Sequence, residues 1–199
     1  NDWRTKWNQG DFPFYYVQLS TFNEQNGNSK VGSRWAELRE AQLETLKLKN
    51  TGMAVTTDIG NAKDIHPTNK KDVGLRLAAI ALNNDYGKTQ IYSGLIYKSQ
   101  EIKGNQIILS FVNIGSGLSS SDGTQNLKGF EIAGADKVFY PAKAIIKDNK
   151  VIVSSENVSN PVAVHYGWAD DDTEINLYNK EKFPASQFRT DNWEMITAS

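Results

Sequence analysis

Alternating apolar and polar blocks organise the first 88 positions of the chain. The run FPFYYVQL at 12–19 is apolar and aromatic and ends in a polar cluster, which predicts a buried strand. Ser33 stands where an N-cap residue would precede a helix over RWAELREAQLETLKL, residues 34–48. The residues that fall roughly on one face of that helix, and so are expected to be its apolar face, are Trp35, Leu38, Ala41 and Leu46.

A second strand and a second helix follow along the chain. The tripeptide NTG at 50–52 ends the first helix, and MAVTT at 53–57 predicts a short strand. Thr68 is placed to cap a helix that runs from about residue 69 to residue 83. The stripe that we predict to be buried consists of Val73, Leu77, Ile80 and Ala81. Strand, helix, strand, loop and helix form a βαβα order, which predicts parallel strands.

Residues 89–199 follow a different pattern, with short apolar runs and turn residues between them. Gly104-Asn105 and Asp148-Asn149 each separate two strand-like runs, as two-residue hairpin turns do. The segment PVAVHYGW, residues 161–168, alternates between two faces. These features predict an antiparallel β-sandwich or jelly roll. We place the boundary near residues 83–90, which gives an α/β part at 1–88 and a β-sandwich accessory domain at 89–199.

Composition and charge exclude several classes of function. The chain has 199 residues and a formal net charge of −1, so it lacks the basic field that holds nucleic acid or an anionic membrane. It contains no cysteine, which excludes disulfides, zinc–thiolate sites and cysteine nucleophiles. The sequence also has no run of eighteen apolar residues that would span a membrane.

One histidine lies at a position where functional residues are commonly found in open parallel sheets. Asp58, Asp64 and His66 lie in the loop that leaves the carboxyl end of the second predicted strand. A histidine there is a candidate general base, and a carboxylate beside it would hold the ring in one tautomer. The other histidine, His165, lies on a predicted strand in the other half, and we expect it to be structural. Two distant histidines make a poor zinc site.

The sequence does not offer a convincing nucleophile to partner His66. Ser33 has the position of a helix cap, and Ser20 follows a strand without the tight glycine turn of a serine hydrolase. Ser116 and the run Ser119–Ser121 lie in a segment, GSGLSSSDG, that is typical of a flexible loop.

Several stretches together resemble a known family. The segments that carry the resemblance are WRTKWNQGDFPFYYVQLSTF, WAELREAQLETL, NTGMAVTTDIGNAKDIHPTNKKDVGLRLA and PASQFRTDNW. They resemble the sialate O-acetylesterases, which are carbohydrate esterases with an SGNH-type fold. The resemblance is strong over residues 3–87 and 183–193 and thinner in the β-rich middle. It implies the C-terminal part of an SGNH-like three-layer α/β/α domain with parallel strands, followed by the antiparallel β-sandwich domain.

The resemblance also implies a reaction and an incomplete site. It implies a serine esterase that removes acetyl groups from sugars such as sialic acid, without a metal or other cofactor. His66 corresponds to the family's catalytic base, whereas the family's serine and oxyanion-hole blocks lie upstream of residue 1. Many SGNH enzymes carry the triad aspartate three residues before the histidine, where this chain has Lys63. The third member is therefore Asp64, Asp58 or a backbone carbonyl.

The expected partners follow from the same resemblance. They are an O-acetylated sugar and either the missing N-terminal half or a second copy that pairs with an exposed sheet edge. The resemblance implies a periplasmic or secreted location, or a lysosomal one in a eukaryote.

A non-catalytic carbohydrate-binding module is the alternative function. The aromatic residues that would bind sugars in it are Tyr92, Tyr97, Tyr140, Tyr166, Trp168 and Tyr178. We favour a core role for them. Likewise, we favour a solvated loop over a calcium loop for ADDDTE at 169–174. Arg189 and Asp191 are expected to fasten the tail rather than to bind a sugar carboxylate.

Overall fold

The computed structural model describes residues 2–198. Its helices are α1 (Asp2–Trp7), α2 (Arg34–Glu44) and α3 (Lys70–Asn84), with 3-10 turns at Thr45–Lys47 and Thr57–Ile59. Its strands are β1 (Phe14–Val17), β2 (Thr51–Ala54), β3 (Ile96–Lys103), β4 (Gln106–Val112), β5 (Leu118–Ser120), β6 (Asn126–Leu127), β7 (Phe130–Ala133), β8 (Phe139–Pro141), β9 (Lys143–Lys147), β10 (Lys150–Ser154), β11 (Ala163–Tyr166), β12 (Leu177–Asn179) and β13 (Phe188–Arg189). None of the helices within residues 2–198 combines the length and the apolar character that a membrane crossing requires.

The first two strands form a small parallel sheet that is covered by α3. Phe14 lies opposite Thr51 in this pair, and Val17 lies opposite Ala54. Gly52 permits the close approach of α3, because a Cβ atom at this position would lie 2.5 Å from the Cγ2 atom of Ile80. Ile80 is the fully buried member of the predicted stripe on α3. The glycine thus sets the distance between the helix and the sheet.

The remaining strands form antiparallel sheets. Five strands have the order β3-β4-β10-β9-β6, four have the order β13-β11-β7-β8, and β12 pairs with β5. Both predicted hairpin turns are confirmed, since Gly104-Asn105 joins β3 to β4 and Asp148-Asn149 joins β9 to β10. Gly104, Asp148 and Asn149 all have positive φ angles, as turns of this kind require.

One apolar core joins the two larger antiparallel sheets. Leu109 on β4 and Val151 on β10 belong to the same buried cluster as Ile132 on β7 and Val164 on β11. All four residues of β11 are buried, so this strand does not show the two-faced alternation that its sequence predicts. The fully buried Tyr166 and the nearly buried Trp168 confirm a core role for these two aromatics.

The predicted fold class is wrong. Residues 2–198 contain mostly antiparallel sheet and few helices, and they do not form an SGNH-like three-layer α/β/α domain with parallel strands. The βαβα order in the first part yields a single parallel pair of four-residue strands. Most strands lie beyond residue 95, where two-residue turns join neighbours that must run antiparallel. The domain boundary near residue 88 stays a prediction.

The buried face of α2 also differs from the prediction. Its N-cap is confirmed, because the Ser33 hydroxyl accepts a hydrogen bond from the Ala36 amide. However, α2 buries Ala36, Glu37 and Arg39, while Leu38 is 50% exposed. Two polar residues, Glu37 and Arg39, therefore lie on the buried face of the helix together with Ala36.

Candidate functional site

His66 lies on an exposed loop beyond the carboxyl end of β2, as its position in the sequence predicts. Within residues 2–198 its imidazole ring forms no hydrogen bond, so the ring is open to a partner from outside this part of the chain. Its backbone N–H donates to Oδ1 of Asp64 at 2.8 Å. Asp64 therefore contacts the histidine through the main chain. A triad role for Asp64 stays a prediction.

The loop is anchored firmly at its start and more lightly around the histidine. The Asn61 amide donates to the Thr21 carbonyl at 3.1 Å, and the Asn23 amide donates to the Ala62 carbonyl at 3.0 Å. Gly60 packs so closely on Thr21 that a Cβ atom would lie 2.5 Å from its backbone nitrogen.

From residue 63 to residue 68 the hydrogen bonds within the described chain are local. The Asn61 side chain accepts from the Lys63 amide, and Asp64 accepts from the His66 amide. Beyond this stretch α3 begins. Asn69, rather than the predicted Thr68, is the N-cap, because its side chain accepts a hydrogen bond from the Asp72 amide at 3.1 Å.

Asp58 binds two residues other than His66. Nη1 and Nη2 of Arg76 each donate to one of its carboxylate oxygens at 2.6 Å, which is a bidentate ion pair. The Tyr178 hydroxyl donates to Oδ2 of Asp58 at 2.8 Å. Burial raises the pKa of Tyr178, and the adjacent Asp58 carboxylate raises it further. The third-member role that the sequence left open for Asp58 is not supported by these contacts.

A buried arginine joins the first part of the chain to the β-rich part, and the sequence analysis missed it. The guanidinium of Arg39 donates to the Leu19 carbonyl at 2.9 Å, to Oδ2 of Asp172 at 3.1 Å and to Oε1 of Gln187 at 3.0 Å. Its side chain is fully buried. Burial lowers the pKa of Arg39, whereas Asp172 and Asp170 oppose this shift.

The acidic segment at 169–174 turns two of its carboxylates inward. Asp170 accepts hydrogen bonds from the amides of Gln25 and Gly27 and from the Ser33 hydroxyl. Asp172 accepts a hydrogen bond from the Thr21 hydroxyl and pairs with Arg39. Burial raises the pKa of Asp172 to about 6, although Arg39 and Thr21 act in the opposite direction. The carboxylates of Asp170 and Asp172 therefore form intramolecular hydrogen bonds that hold the chain together. They behave neither as calcium ligands nor as part of a solvated loop.

The second histidine is held on both ring nitrogens. Nε2 of His165 lies 2.9 Å from Oδ2 of Asp191, and Nδ1 lies 2.8 Å from the Ser29 hydroxyl. The order serine, histidine, aspartate is that of a hydrolase triad, but the Ser29 hydroxyl donates its one proton to Glu131 rather than to the ring. The ring is buried against Phe139, with 3.7 Å between ring centroids. This arrangement matches the structural role expected for His165.

The tail is fastened as the sequence analysis expected. Nε of Arg189 donates to Glu40 on α2 at 2.9 Å, and Nη1 lies 3.3 Å from Asp191. Nη1 also donates to the Trp193 carbonyl at 2.7 Å. Burial alone would raise the pKa of Asp191, but hydrogen bonds from His165 and Trp193 lower it below its usual value.

Two cavities border Trp168, and His66 does not line either of them. A cavity of about 490 Å³ lies between Trp168, Glu131 and the acidic segment. A second cavity of about 310 Å³ lies on the other side of Trp168, beside His165 and Trp193. His66 stands apart from both, on open surface.

A comparison with solved structures found similar chains. The chain is similar to the crystal structure of XAC1771, described as a novel carbohydrate acetylesterase from Xanthomonas citri. The two share 45% sequence identity with a TM-score of 0.90. The match covers 96% of this chain and 44% of that chain, so the sequence spans less than half the length of this relative.

Two other comparisons gave no match. Neither the protein-family models nor the curated proteins contain one that matches this chain. The similarity to XAC1771 supports the carbohydrate-esterase part of the resemblance drawn from the sequence, and it does not extend to a particular sugar.

Proposed function

We propose that this chain is part of a carbohydrate acetylesterase in which His66 is the general base. The observation that carries the proposal is the 45% identity, over 96% of this chain, to a protein described as a carbohydrate acetylesterase. The exposed His66 ring beyond the carboxyl end of β2 is consistent with it. Histidine is the side chain that most often serves as a general base in catalysis.

The reaction that we propose is acyl transfer through a serine. The serine hydroxyl attacks the acetyl carbonyl while His66 takes its proton, and the sugar oxygen then leaves with that proton. Water next attacks the acetyl-serine, with His66 again as base, and releases acetate and the free serine. We place this serine on sequence upstream of residue 1, because the chain has no convincing candidate. On this proposal the chain alone is inactive or nearly so.

The finer assignment is to an O-acetylated sialic acid, with acetylated xylan-type sugars as the competing substrate class. It rests on the long ordered block from Asn50 to Ala78, which resembles the sialate O-acetylesterases. We propose a periplasmic or secreted location, or a lysosomal one in a eukaryote, on the same basis.

We also propose a partner for the small parallel sheet. β1 and β2 pair only with each other among residues 2–198, and Trp3 and Trp7 beside them are more than half exposed. The partner is either further sequence of the same protein or a second copy of the chain.

The test measures hydrolysis of 4-nitrophenyl acetate, 9-O-acetylated sialic acid and acetylated xylan. It compares this chain alone with the same chain after upstream sequence has been restored. Activity that appears only in the longer protein and is lost in His66→Ala supports the proposal. Lys63→Ala, a neighbour on the same exposed loop, is the matched control and should keep full activity. Activity that survives His66→Ala would overturn the assignment of the base.

A further inference from the structure

We propose that Tyr178 positions the His66 loop from the β-rich part of the chain, an inference that rests on the proposed function. Tyr178 lies on β12, about 110 residues beyond the loop in sequence, yet its hydroxyl reaches Oδ2 of Asp58 at 2.8 Å. Asp58 is in the 3-10 turn from which the loop departs. Through Tyr178 the antiparallel sheets thus contact the base of this loop.

The ion pair that Tyr178 joins links the start of the loop to the helix that follows the loop. Asp58 stands where the loop begins, and Arg76 lies on α3, which starts where the loop ends. Nη1 of Arg76 also donates to the Val55 carbonyl at 2.6 Å, so the same guanidinium holds the end of β2. The start of the 12-residue segment 58–69 and the second turn of the helix that follows it therefore meet at one cluster, which we call the loop clamp: Asp58, Arg76 and Tyr178.

The ion pair of the clamp is largely shielded from solvent, which makes its geometry rigid. The side chains of Arg76 and Asp58 are 11% and 8% exposed. Charge-assisted hydrogen bonds in such surroundings are short, directional and only weakly screened by salt. Asp58 raises the pKa of Arg76 even though burial opposes this, which keeps the guanidinium charged.

Tyr178 is itself held in place by its strand. It pairs with Ser119 of β5 and forms a bridge with Pro184 on its other side. The hydroxyl therefore presents a fixed donor to Asp58 rather than following the loop. Because residues 63–68 carry only local hydrogen bonds, the position of His66 depends on how firmly the base of the loop is held.

A second tyrosine provides a matched control. The Tyr15 hydroxyl donates to Oδ2 of Asp85 at 2.6 Å, at the far end of α3. Each tyrosine thus links a strand to an aspartate. Tyr178 does so at the start of the His66 loop, and Tyr15 does so at the C-terminal end of α3. Tyr178→Phe and Tyr15→Phe each delete one hydroxyl and one tyrosine–carboxylate hydrogen bond.

The experiment measures amide hydrogen exchange and acetyl-ester kinetics for both variants in the intact protein. The amides of Ile59 and Asn61 are hydrogen-bonded at the base of the loop and report on the clamp. We expect Tyr178→Phe to speed their exchange at least about threefold, and to lower kcat about 3- to 20-fold with little change in KM. Tyr15→Phe should change neither. Arg76→Lys, which keeps the charge but cannot bind both oxygens, should have a larger effect than Tyr178→Phe.

The possible outcomes separate the two proposals. If Tyr178→Phe and Tyr15→Phe give the same exchange at Ile59 and Asn61, Tyr178 does not position the loop. If exchange rises in Tyr178→Phe while kcat is unchanged, the clamp holds the loop without serving catalysis, and the inference also fails. If the wild-type protein hydrolyses no acetyl ester, the proposed function fails, and the exchange rates alone decide whether the clamp exists. Should Tyr178→Phe not fold, Arg76→Lys tests the clamp through another member, and unchanged exchange at Ile59 and Asn61 in that variant would overturn the inference.

Discussion

Asp64 holds the backbone of His66 and not its ring. Oδ1 of Asp64 accepts the His66 N–H at 2.8 Å, which is the two-residue spacing of an Asx turn. Asn61 forms the same kind of turn with the Lys63 amide at 2.9 Å. Two consecutive side-chain turns therefore shape the segment that presents the candidate base.

This relationship yields a prediction that separates two roles for Asp64. An asparagine at this position has a side-chain oxygen that accepts the same backbone N–H, so Asp64→Asn should keep acetylesterase activity within about threefold of wild type. Asp64→Ala lacks the acceptor and should lose about tenfold. Steady-state kinetics of both variants in the intact protein provide the measurement.

A triad role for Asp64 would give a different pattern of kinetics. The carboxylate would then orient the ring and stabilise the imidazolium, and its replacement by asparagine costs about 10⁴-fold in serine hydrolases. A loss of that size in Asp64→Asn would show that the carboxylate moves to the ring in the working enzyme. The Lys63→Ala variant controls for general damage to the loop.

The turn chemistry of this chain could be predicted from sequence because it is local. Ser33 caps its helix, and Asp148-Asn149 forms its hairpin, for reasons contained within a few neighbouring residues. The loop with His66 at the end of β2 was likewise located from the local pattern. The N-cap of α3 was missed by one residue, since Asn69 and Thr68 are both competent caps.

Long-range contacts could not be predicted in the same way. Nothing local indicates that Arg39 is buried, because arginine is normally exposed and its partners lie far away in sequence, as Asp172 does. Tyr178 and Asp58 are also distant in sequence. The fold class failed for a related reason. A βαβα order predicts parallel pairing but does not give the number of strands, and within residues 2–198 the parallel sheet has two.

Replacing Arg39 should be severely destabilising. Its guanidinium is fully buried and satisfies carbonyl groups as well as Asp172. Arg39→Met removes those donors and leaves a buried carboxylate unpaired, so we expect a loss of about 3–5 kcal/mol in the free energy of unfolding. Arg34→Met, at an exposed position of the same helix, should change it by less than about 0.5 kcal/mol. Urea unfolding followed by tryptophan fluorescence measures both.

A different result would show how much the Arg39–Asp172 ion pair contributes to the stability of the protein. If Arg39→Met matched Arg34→Met, the ion pair would contribute no net stability relative to a well-packed apolar side chain. Near-neutral results are typical when both members of a buried ion pair are replaced by apolar residues, so such a result for Arg39→Met alone would require other donors to satisfy Asp172. Thr21 is a donor of this kind and already contacts Asp172.

The titration of Asp172 gives a pH dependence with a definite sign. Burial raises its pKa from 3.8 to about 6, so between these values the folded protein binds more protons than the unfolded chain. The contribution of Asp172 to stability is therefore fully present below about pH 4 and is lost as the pH rises through 6. The change amounts to at most about 3 kcal/mol.

The measurement compares wild type with Asp172→Asn in urea unfolding between pH 4 and 7. As the pH rises from 4 to 7, the free energy of unfolding of wild type should fall relative to that of Asp172→Asn, because asparagine does not titrate. The comparison uses the change with pH, so the absolute stability of the variant does not matter. Asp171→Asn is the control, because Asp171 is exposed and bonds only to Thr173 among the described residues. A wild-type profile parallel to that of Asp172→Asn would mean that Asp172 stays ionised throughout, held so by Arg39.

Two glycines should respond to alanine in opposite directions, and the comparison tests the packing of α3 on the parallel sheet. At Gly52 a Cβ atom would lie 2.5 Å from Ile80 and 2.9 Å from the ring of Tyr15, so Gly52→Ala forces the helix away from the sheet. We expect a loss of about 1–3 kcal/mol in the free energy of unfolding. Gly74 lies within α3 with open space around its Cα, so Gly74→Ala should gain about 0.5–1 kcal/mol from helix propensity.

The double variant Gly52→Ala/Gly74→Ala tests how α3 moves in response to overpacking at Gly52. If overpacking at Gly52 only lifts α3 from the sheet, the two effects should add, because the two sites do not share a neighbour. If α3 instead shifts along its axis, Arg76 moves with it and the loop clamp is disturbed. The exchange of the Ile59 and Asn61 amides would then rise in Gly52→Ala but not in Gly74→Ala. Unchanged stability in Gly52→Ala would contradict the close approach of helix and sheet on which both expectations depend.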